Sequence, residues 1–223
     1  MKFIRLYGSV RSGTNYLYLL ITRNFKDVFV SESNKHGRPT EWSLEQKGKM
    51  LKSAQEKYAE HQETHDIPLD YAVSREPIGD VLIYKNPYAV VQGEMNIGVP
   101  LSDAVQRWNR VNRWLKDWEK IYRWRVMLVK YEDLLTEGGR NRVLYQMEIK
   151  FELDCSGDQF VDIAEHSHSK KTIHRANEAG HYDKEWQLNR GFLDELTEEE
   201  ISMINKELDR KLMKAFGYNI IGE

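Results

Sequence analysis

The feature that most constrains the fold is a turn between two glycines near the amino end, in the segment LYGSVRSGTNYL at residues 6–17. A short β-rich run ends at Gly8, and a densely apolar segment typical of a buried helix begins at Thr14. Gly8 and Gly13 flank four residues, which is the spacing of a phosphate-binding loop. The sequence therefore predicts a strand, an anion-binding turn and a helix in direct succession.

The side chains of this turn differ from those of a loop that binds nucleoside triphosphates. Thr14 and Asn15 stand where a lysine and a magnesium-binding hydroxyl would follow the second glycine. Backbone N–H groups and the amino end of the helix still offer donors and a partial positive charge to an anion. Arg11 adds a fixed charge whose planar fork suits a phosphate or sulfate oxygen. We therefore expect a loop that binds phosphate without magnesium.

Three more strand candidates follow, separated by helical patterns. They are KDVFVSES at residues 26–33, DVLIYKNP at residues 80–87 and WRVMLVKYEDLL at residues 124–135. Pro87 can open one helix, and another is expected from about Glu132. Apolar strands that alternate with helices predict a central parallel sheet covered on both faces, in a three-layer α/β/α fold.

Periodic patterns predict the remaining helices. Apolar residues recur every three or four positions from Leu101 to Tyr122, which indicates one long amphipathic helix. Thr197 and Glu200 form a capping box for a last long helix that Gly217 can end. We also expect a helix in GDQFVDIAEH at residues 157–166, and a mostly helical, polar insertion at residues 38–70.

Composition limits the classes of function. The 223 residues suffice for one sizeable core, so we expect a single domain over residues 1–223. A net charge of −2 with both signs intermixed argues against nucleic-acid binding. No apolar run approaches the ~20 residues that span a bilayer. A lone cysteine, Cys155, and the absence of a signal-peptide pattern favour a cytoplasmic protein, whose oligomeric state no pattern indicates.

Four segments, in order, resemble signatures of the sulfotransferases that use 3′-phosphoadenosine 5′-phosphosulfate. GSVRSGTNYL resembles their 5′-phosphosulfate loop, and VLIYKNPYAVV resembles the strand and helix that contact the 3′-phosphate. VMLVKYEDLL is similar to their Val-Arg-Tyr-Glu-Asp-Leu segment, and LTEEEISMINKELDRKLMKAFGY to the terminal helix of many members. The chain thus resembles a small member of this family, of the microbial or phage type.

The resemblance implies a nucleotide-kinase-like fold and a metal-independent enzyme that moves a sulfuryl group to a hydroxyl or amine, releasing adenosine 3′,5′-bisphosphate. Arg11 would contact the 5′-phosphosulfate and the leaving oxygen, and Lys85 would hold the 3′-phosphate. The other implied donor-binding positions are Ser12, Gly13, Thr14 and Asn15 around the 5′-phosphate, with Gly93 and Tyr182 elsewhere in the nucleotide site. No sugar or phenol motif identifies the acceptor.

The sequence departs from the family pattern at several positions. Gly93 stands where most members have a serine on the 3′-phosphate, so either Gln92 replaces this contact or the contact is lost. Lys85 replaces the commoner arginine, and Val10 replaces the usual proline of the loop. The Arg-Lys-Gly triplet of many cytosolic members is missing, and the nearest substitutes are Lys170, Lys171, Arg175 and Tyr182.

The base that deprotonates the acceptor is expected after the second strand, at the edge where open α/β sheets bind ligands. His36 is the first choice, with Lys35 stabilising the transferring group, and Glu32 is the alternative base. No metal site is predicted, because His61 and His65 lack a third ligand. Two other functions remain open: a small-molecule kinase, and a binding module that retains the nucleotide fold without catalysis.

Overall fold

The computed structural model describes residues 2–26, 28–31, 35–40, 78–163 and 183–222. The predicted polar insertion at residues 38–70 lies almost entirely outside these ranges. The elements in chain order are β1 Lys2–Gly8, α1 Thr14–Asn24, β2 Phe25–Lys26, β3 Val28–Ser31, β4 Gly79–Tyr84, α2 Pro87–Met95, α3 Leu101–Ile121, β5 Val126–Lys130, α4 Tyr131–Leu135, α5 Glu137–Phe151, β6 Asp154–Cys155, α6 Lys184–Leu188, a 3₁₀ turn Gly191–Leu193, α7 Glu198–Glu207 and α8 Arg210–Ala215.

Four strands form a parallel sheet in the order β3-β1-β4-β5. Alternate residues of each strand enter different cores, as the pleat requires. Val81 and Ile83 pack with α1, α4 and α5 on one face, whereas Leu82 packs with α3 on the other. Helices therefore cover both faces, and the predicted central parallel sheet flanked by helices is confirmed. The carboxyl ends of all four strands meet at one edge.

Local sequence signals place several helix boundaries correctly. Pro87 is the first residue of α2, and the Asn86 side chain accepts a hydrogen bond from the Tyr88 N–H. The long helix predicted from Leu101 is α3. Thr197 and Glu200 form the predicted capping box at the start of α7. The first turns of α2 and α7 are fixed by hydrogen bonds between near neighbours, which the sequence specifies directly.

The prediction of one long last helix is wrong, because the chain breaks between α7 and α8. Asp209 caps α8 by accepting a hydrogen bond from the Leu212 N–H at 3.1 Å. Its own N–H donates to Asn109 Oδ1 of α3 at 3.0 Å, and its carboxylate pairs with Arg113 at 2.8 Å. Contacts with a distant helix therefore override the continuous apolar stripe.

The helix predicted in GDQFVDIAEH is also wrong over residues 157–163, the part of it that the structure describes. Asn24 binds the backbone of this segment: its Oδ1 accepts from the Val161 N–H at 2.6 Å, and its Nδ2 donates to the Val161 carbonyl at 2.9 Å. A side-chain amide thus takes the hydrogen bonds that a helix would have used.

A buried ion cluster ties β1 to β4 and β5. Asp80, fully buried, accepts hydrogen bonds from Arg5 Nε at 2.5 Å and from Trp118 Nε1 at 2.7 Å. Arg125 Nε lies 3.7 Å from the same carboxylate. Arg5 also donates to the Thr40 carbonyl at 2.8 Å, which fastens residues 35–40 to the sheet.

We predict that Asp80→Asn lowers the free energy of unfolding by about 3 kcal/mol, because two buried guanidinium groups lose their counter-charge. Urea denaturation followed by circular dichroism measures the change. The control is Arg142→Gln, which removes the exposed pair between Arg142 and Asp133 and should cost under about 1 kcal/mol. Equal effects of the two substitutions would contradict this account of the cluster.

Candidate functional site at the carboxyl edge of the sheet

The loop between β1 and α1 is a tight turn closed by its own serines. The Ser12 N–H and hydroxyl both donate to the Ser9 carbonyl, at 3.2 and 2.7 Å. Arg11 and Gly13 have left-handed backbones, with φ of 64° and 88°. Left-handed residues in such turns bring backbone N–H groups into the concave nests that bind anions. The left-handed backbones at Arg11 and Gly13 are compatible with such a nest at the start of α1.

Both glycines of the loop are required by close neighbours. A Cβ at Gly8 would lie 2.4 Å from Ser12 Oγ and 2.8 Å from the Ile83 carbonyl oxygen. A Cβ at Gly13 would lie 2.3 Å from the ring of Tyr131, the first residue of α4. The loop is thus packed between β4 and the start of α4, where any other residue would collide.

Arg11 extends from the loop toward α2. A Cβ built on Gly93 would lie 3.4 Å from Arg11 Cγ and 3.6 Å from its Cβ, so the stem of Arg11 packs against this glycine. Arg11 Nε is buried and has no hydrogen-bond acceptor among the described residues. A left-handed backbone in a non-glycine residue costs about 1–2 kcal/mol, and such strain is often found at functional sites. Arg11 is therefore held in a strained, incompletely paired state.

Lys85 lies beside Arg11 at the end of β4. Its side chain is buried, and its ammonium lies 4.4 Å from the centroid of the Tyr131 ring. Burial, opposed by the Glu132 carboxylate and aided by the Arg11 charge, lowers the pKa of Lys85 to about 8. Two cationic side chains thus share one edge of the sheet, and a bound anion would relieve their repulsion.

Glu94 adds a buried carboxylate near Arg11 that the sequence analysis missed. Burial raises the pKa of Glu94, whereas the charges of Arg107 and Arg11 lower it. Arg107 Nη1 lies 3.0 Å from Glu94 Oε2 as an ion pair, but neither carboxylate oxygen has a well-aligned hydrogen bond among the described residues. Glu94 therefore faces cations without being fully satisfied by them.

Lys35 and His36 fasten the loop from the other side. The Gly8 N–H donates to the Lys35 carbonyl at 2.7 Å, and His36 Nδ1 lies 2.9 Å from the Gly8 carbonyl oxygen. Because a carbonyl only accepts, Nδ1 carries a proton, and in the neutral ring Nε2 then holds the lone pair. Lys35 Nζ donates to Asn15 Oδ1 of α1 at 2.7 Å.

The predicted site residues that the structure describes are therefore brought together at one edge of the sheet. These residues belong to the loop or to segments beside it, and they are Arg11, Ser12, Gly13, Thr14, Asn15, Lys35, His36, Lys85 and Gly93. The other candidate residues lie outside the described ranges, and they are Glu32, Lys170, Lys171, Arg175 and Tyr182. Within the loop, the hydroxyl and the backbone N–H of Ser12 both donate to the Ser9 carbonyl.

The side chain of Gln92, which the sequence left open as a substitute for the family serine on the 3′-phosphate, is bonded to an acidic residue instead. Its side-chain amide donates to the Glu195 carboxylate, and the residue is buried. Gly93 instead provides the space that the stem of Arg11 occupies. The glycine is explained by its neighbour in space, a signal that the linear sequence does not carry.

The described residues contain no group of three or more His, Cys, Asp or Glu side chains placed to hold a metal ion. No helix among them is long and apolar enough to cross a membrane. Cys155 packs against the α1 and α5 side of the core, and burial raises the pKa of its thiol.

We predict that Gly13→Ala disrupts the loop more than left-handed strain alone explains, because the new methyl group meets the Tyr131 ring. Gly98→Ala is the matched control, since Gly98 has φ of 85° and no atom within 4 Å of its Cβ position. Gly98→Ala should cost about 1 kcal/mol of unfolding free energy, and Gly13→Ala at least about 2 kcal/mol more. Thermal unfolding of both variants checks this difference, and equal costs would show that Tyr131 yields freely.

No protein-family model matches the chain, and no curated protein matches its sequence. The grounds for a function are therefore the four sequence signatures and the geometry that places Arg11, Lys85 and His36 in or beside the glycine-bounded loop between β1 and α1.

Proposed function

We propose that the protein is a sulfotransferase that uses 3′-phosphoadenosine 5′-phosphosulfate as donor. The observation that carries the proposal is the closeness of two cationic side chains, Arg11 in the glycine-bounded loop and Lys85 beside that loop. A donor with anionic groups on both its 5′ and 3′ positions offers two partners to these two cations. The loop backbone and the amino end of α1 would bind the 5′-phosphosulfate, and Lys85 the 3′-phosphate.

The charges present suit this transfer. Sulfuryl transfer, like loose phosphoryl transfer, depends mainly on in-line positioning and on stabilising charge at the leaving oxygen. In the proposed step the acceptor oxygen bonds to sulfur while the bond from sulfur to the bridging oxygen breaks. The electron pair of that bond remains on the 5′-phosphate, where Arg11 would stabilise it. Lys35, held on Asn15 beside the loop, would contribute a second positive charge.

His36 is the proposed base. The proton that the acceptor hydroxyl loses would pass to Nε2, because Nδ1 donates to the Gly8 carbonyl in the described geometry. This hydrogen bond fixes the ring relative to the residue that ends β1 and starts the donor loop. Glu32 remains the alternative base.

A non-catalytic module that binds the same nucleotide is the second candidate. It is favoured by the glycine at position 93 and by the engagement of Gln92 with Glu195, which together leave the family's serine contact without a replacement on α2. A kinase is disfavoured because the loop lacks the lysine that reaches the β- and γ-phosphates. Transfer of labelled sulfate to a mixed panel of sugars, phenols and lipids separates catalysis from binding alone.

We predict that Arg11→Ala lowers sulfate transfer about 10³-fold, because the developing charge on the leaving oxygen loses its main partner. Isothermal titration with adenosine 3′,5′-bisphosphate should show affinity at least about tenfold weaker. Arg23→Ala is the control: this exposed arginine lies at the other end of α1. Failure of the wild-type protein to bind the bisphosphate, together with binding of ATP and magnesium, would overturn the proposed function.

A second prediction separates the two nitrogens of His36. His36→Asn keeps an amide donor near the position of Nδ1 but has no group at Nε2, so we expect nearly unchanged binding of the bisphosphate and turnover lower by about 10²–10⁴. His36→Ala removes the donor as well and should also loosen the loop. An unchanged rate in His36→Asn would pass the role of base to Glu32 or to another residue.

A further inference from the structure

Glu132 lies where three parts of the chain meet, and it is not among the residues proposed to bind the donor. One oxygen, Oε1, accepts a hydrogen bond from the backbone N–H of Asn86 at 2.9 Å. The other, Oε2, accepts from the Tyr218 hydroxyl at 2.8 Å. Asn86 directly follows Lys85 and caps α2, and Tyr218 belongs to the segment after α8. One carboxylate therefore joins three separate parts of the chain.

We propose that Glu132 is a positioning residue, which fixes the chain at Lys85 and supplies the negative charge that keeps its ammonium ready for a phosphate. This inference rests on the proposed function for the identity of the anion, but not for the effect on Lys85. In this proposal Glu132 contacts no reacting atom. It acts through the Asn86 N–H and through the field at the lysine.

Several charged or titratable groups surround this pair, and their signs decide the outcome. Those around Lys85 are Arg11 and Glu132, and those around Glu132 and Tyr218 are Tyr84, Lys130 and Asp133. Burial and Arg11 both disfavour the charged lysine, whereas Glu132 favours it. Glu132 is thus the anion that opposes both effects.

The sign of the pH dependence follows from the lysine. The pKa of Lys85, about 8, lies below its ordinary value, so Lys85 is charged below pH 8 and loses its proton as the pH rises through 8. The second pKa of a phosphate monoester lies near 6, so the dianion predominates at pH 7. Affinity for the bisphosphate should therefore be level between about pH 7 and 7.5 and fall above pH 8.

The test compares Glu132→Gln with Asp133→Asn, which removes the same charge one residue further along α4. Asp133 pairs with exposed Arg142 and is not bonded to Asn86. The ε-carbon signal of Lys85 is titrated by NMR in ¹³C-lysine-labelled protein without nucleotide, and Lys85→Arg assigns the signal. We expect Glu132→Gln to lower the pKa of Lys85 by about one pH unit and Asp133→Asn to change it far less.

Binding gives an independent result. With Lys85 about one-tenth protonated at pH 8, Glu132→Gln should bind the bisphosphate about fivefold more weakly than wild type. Adding Lys85→Arg should restore level affinity above pH 8, because arginine stays charged. If Glu132→Gln does not fold, Glu132→Asp replaces it and should lower the pKa in the same direction by a smaller amount.

The outcomes separate the two ideas. An unchanged pKa of Lys85 in both Glu132 variants, or an equal shift in Asp133→Asn, overturns the positioning role whatever the nucleotide does. A wild-type protein that shows the lysine titration but binds no bisphosphate leaves the positioning role intact and overturns the proposed function.

Discussion

The contact between the Tyr131 ring and Gly13 is the constraint on which the site depends. It packs the first residue of α4 against the loop between β1 and α1, and the Lys85 ammonium lies over the same ring. The segments that follow β1, β4 and β5 are thereby brought to one point. A parallel sheet guarantees that strand ends meet at one edge, but this packing decides which side chains meet there.

The opposition of charges around Lys85 has an energetic consequence. Keeping Lys85 charged and buried next to an arginine lowers the stability of the folded protein. Among the interactions described for the Lys85 ammonium, only Glu132 and the Tyr131 ring offset this cost. Such destabilisation is tolerable because the Asp80 cluster and the two helical layers stabilise the same strands elsewhere. The interactions that hold the sheet together are thus separate from the cationic side chains of the candidate site.

Sequence reasoning succeeded where a signal is local. The spacing of Gly8 and Gly13 predicted the loop, and Pro87 marked the first residue of α2. The chain order of the strands, alternating with helices, was enough to predict the parallel sheet. The failures have long-range causes: Asp209 breaks the last helix through contacts with α3, and the Asn24 side chain takes the backbone hydrogen bonds of Val161. The roles of Tyr131 and Glu132 were missed for the same reason, because their partners are distant in sequence.

Gly8 donates its N–H to the Lys35 carbonyl, and its own carbonyl accepts from His36, so this residue joins the loop between β1 and α1 to the segment at residues 35–40. In the proposed reaction these segments serve opposite substrates, the donor on one side and the acceptor on the other. Any shift of the loop as the nucleotide enters would carry the imidazole with it. In the proposed reaction, the backbone of Gly8 would then govern the distance between the donor sulfur and His36.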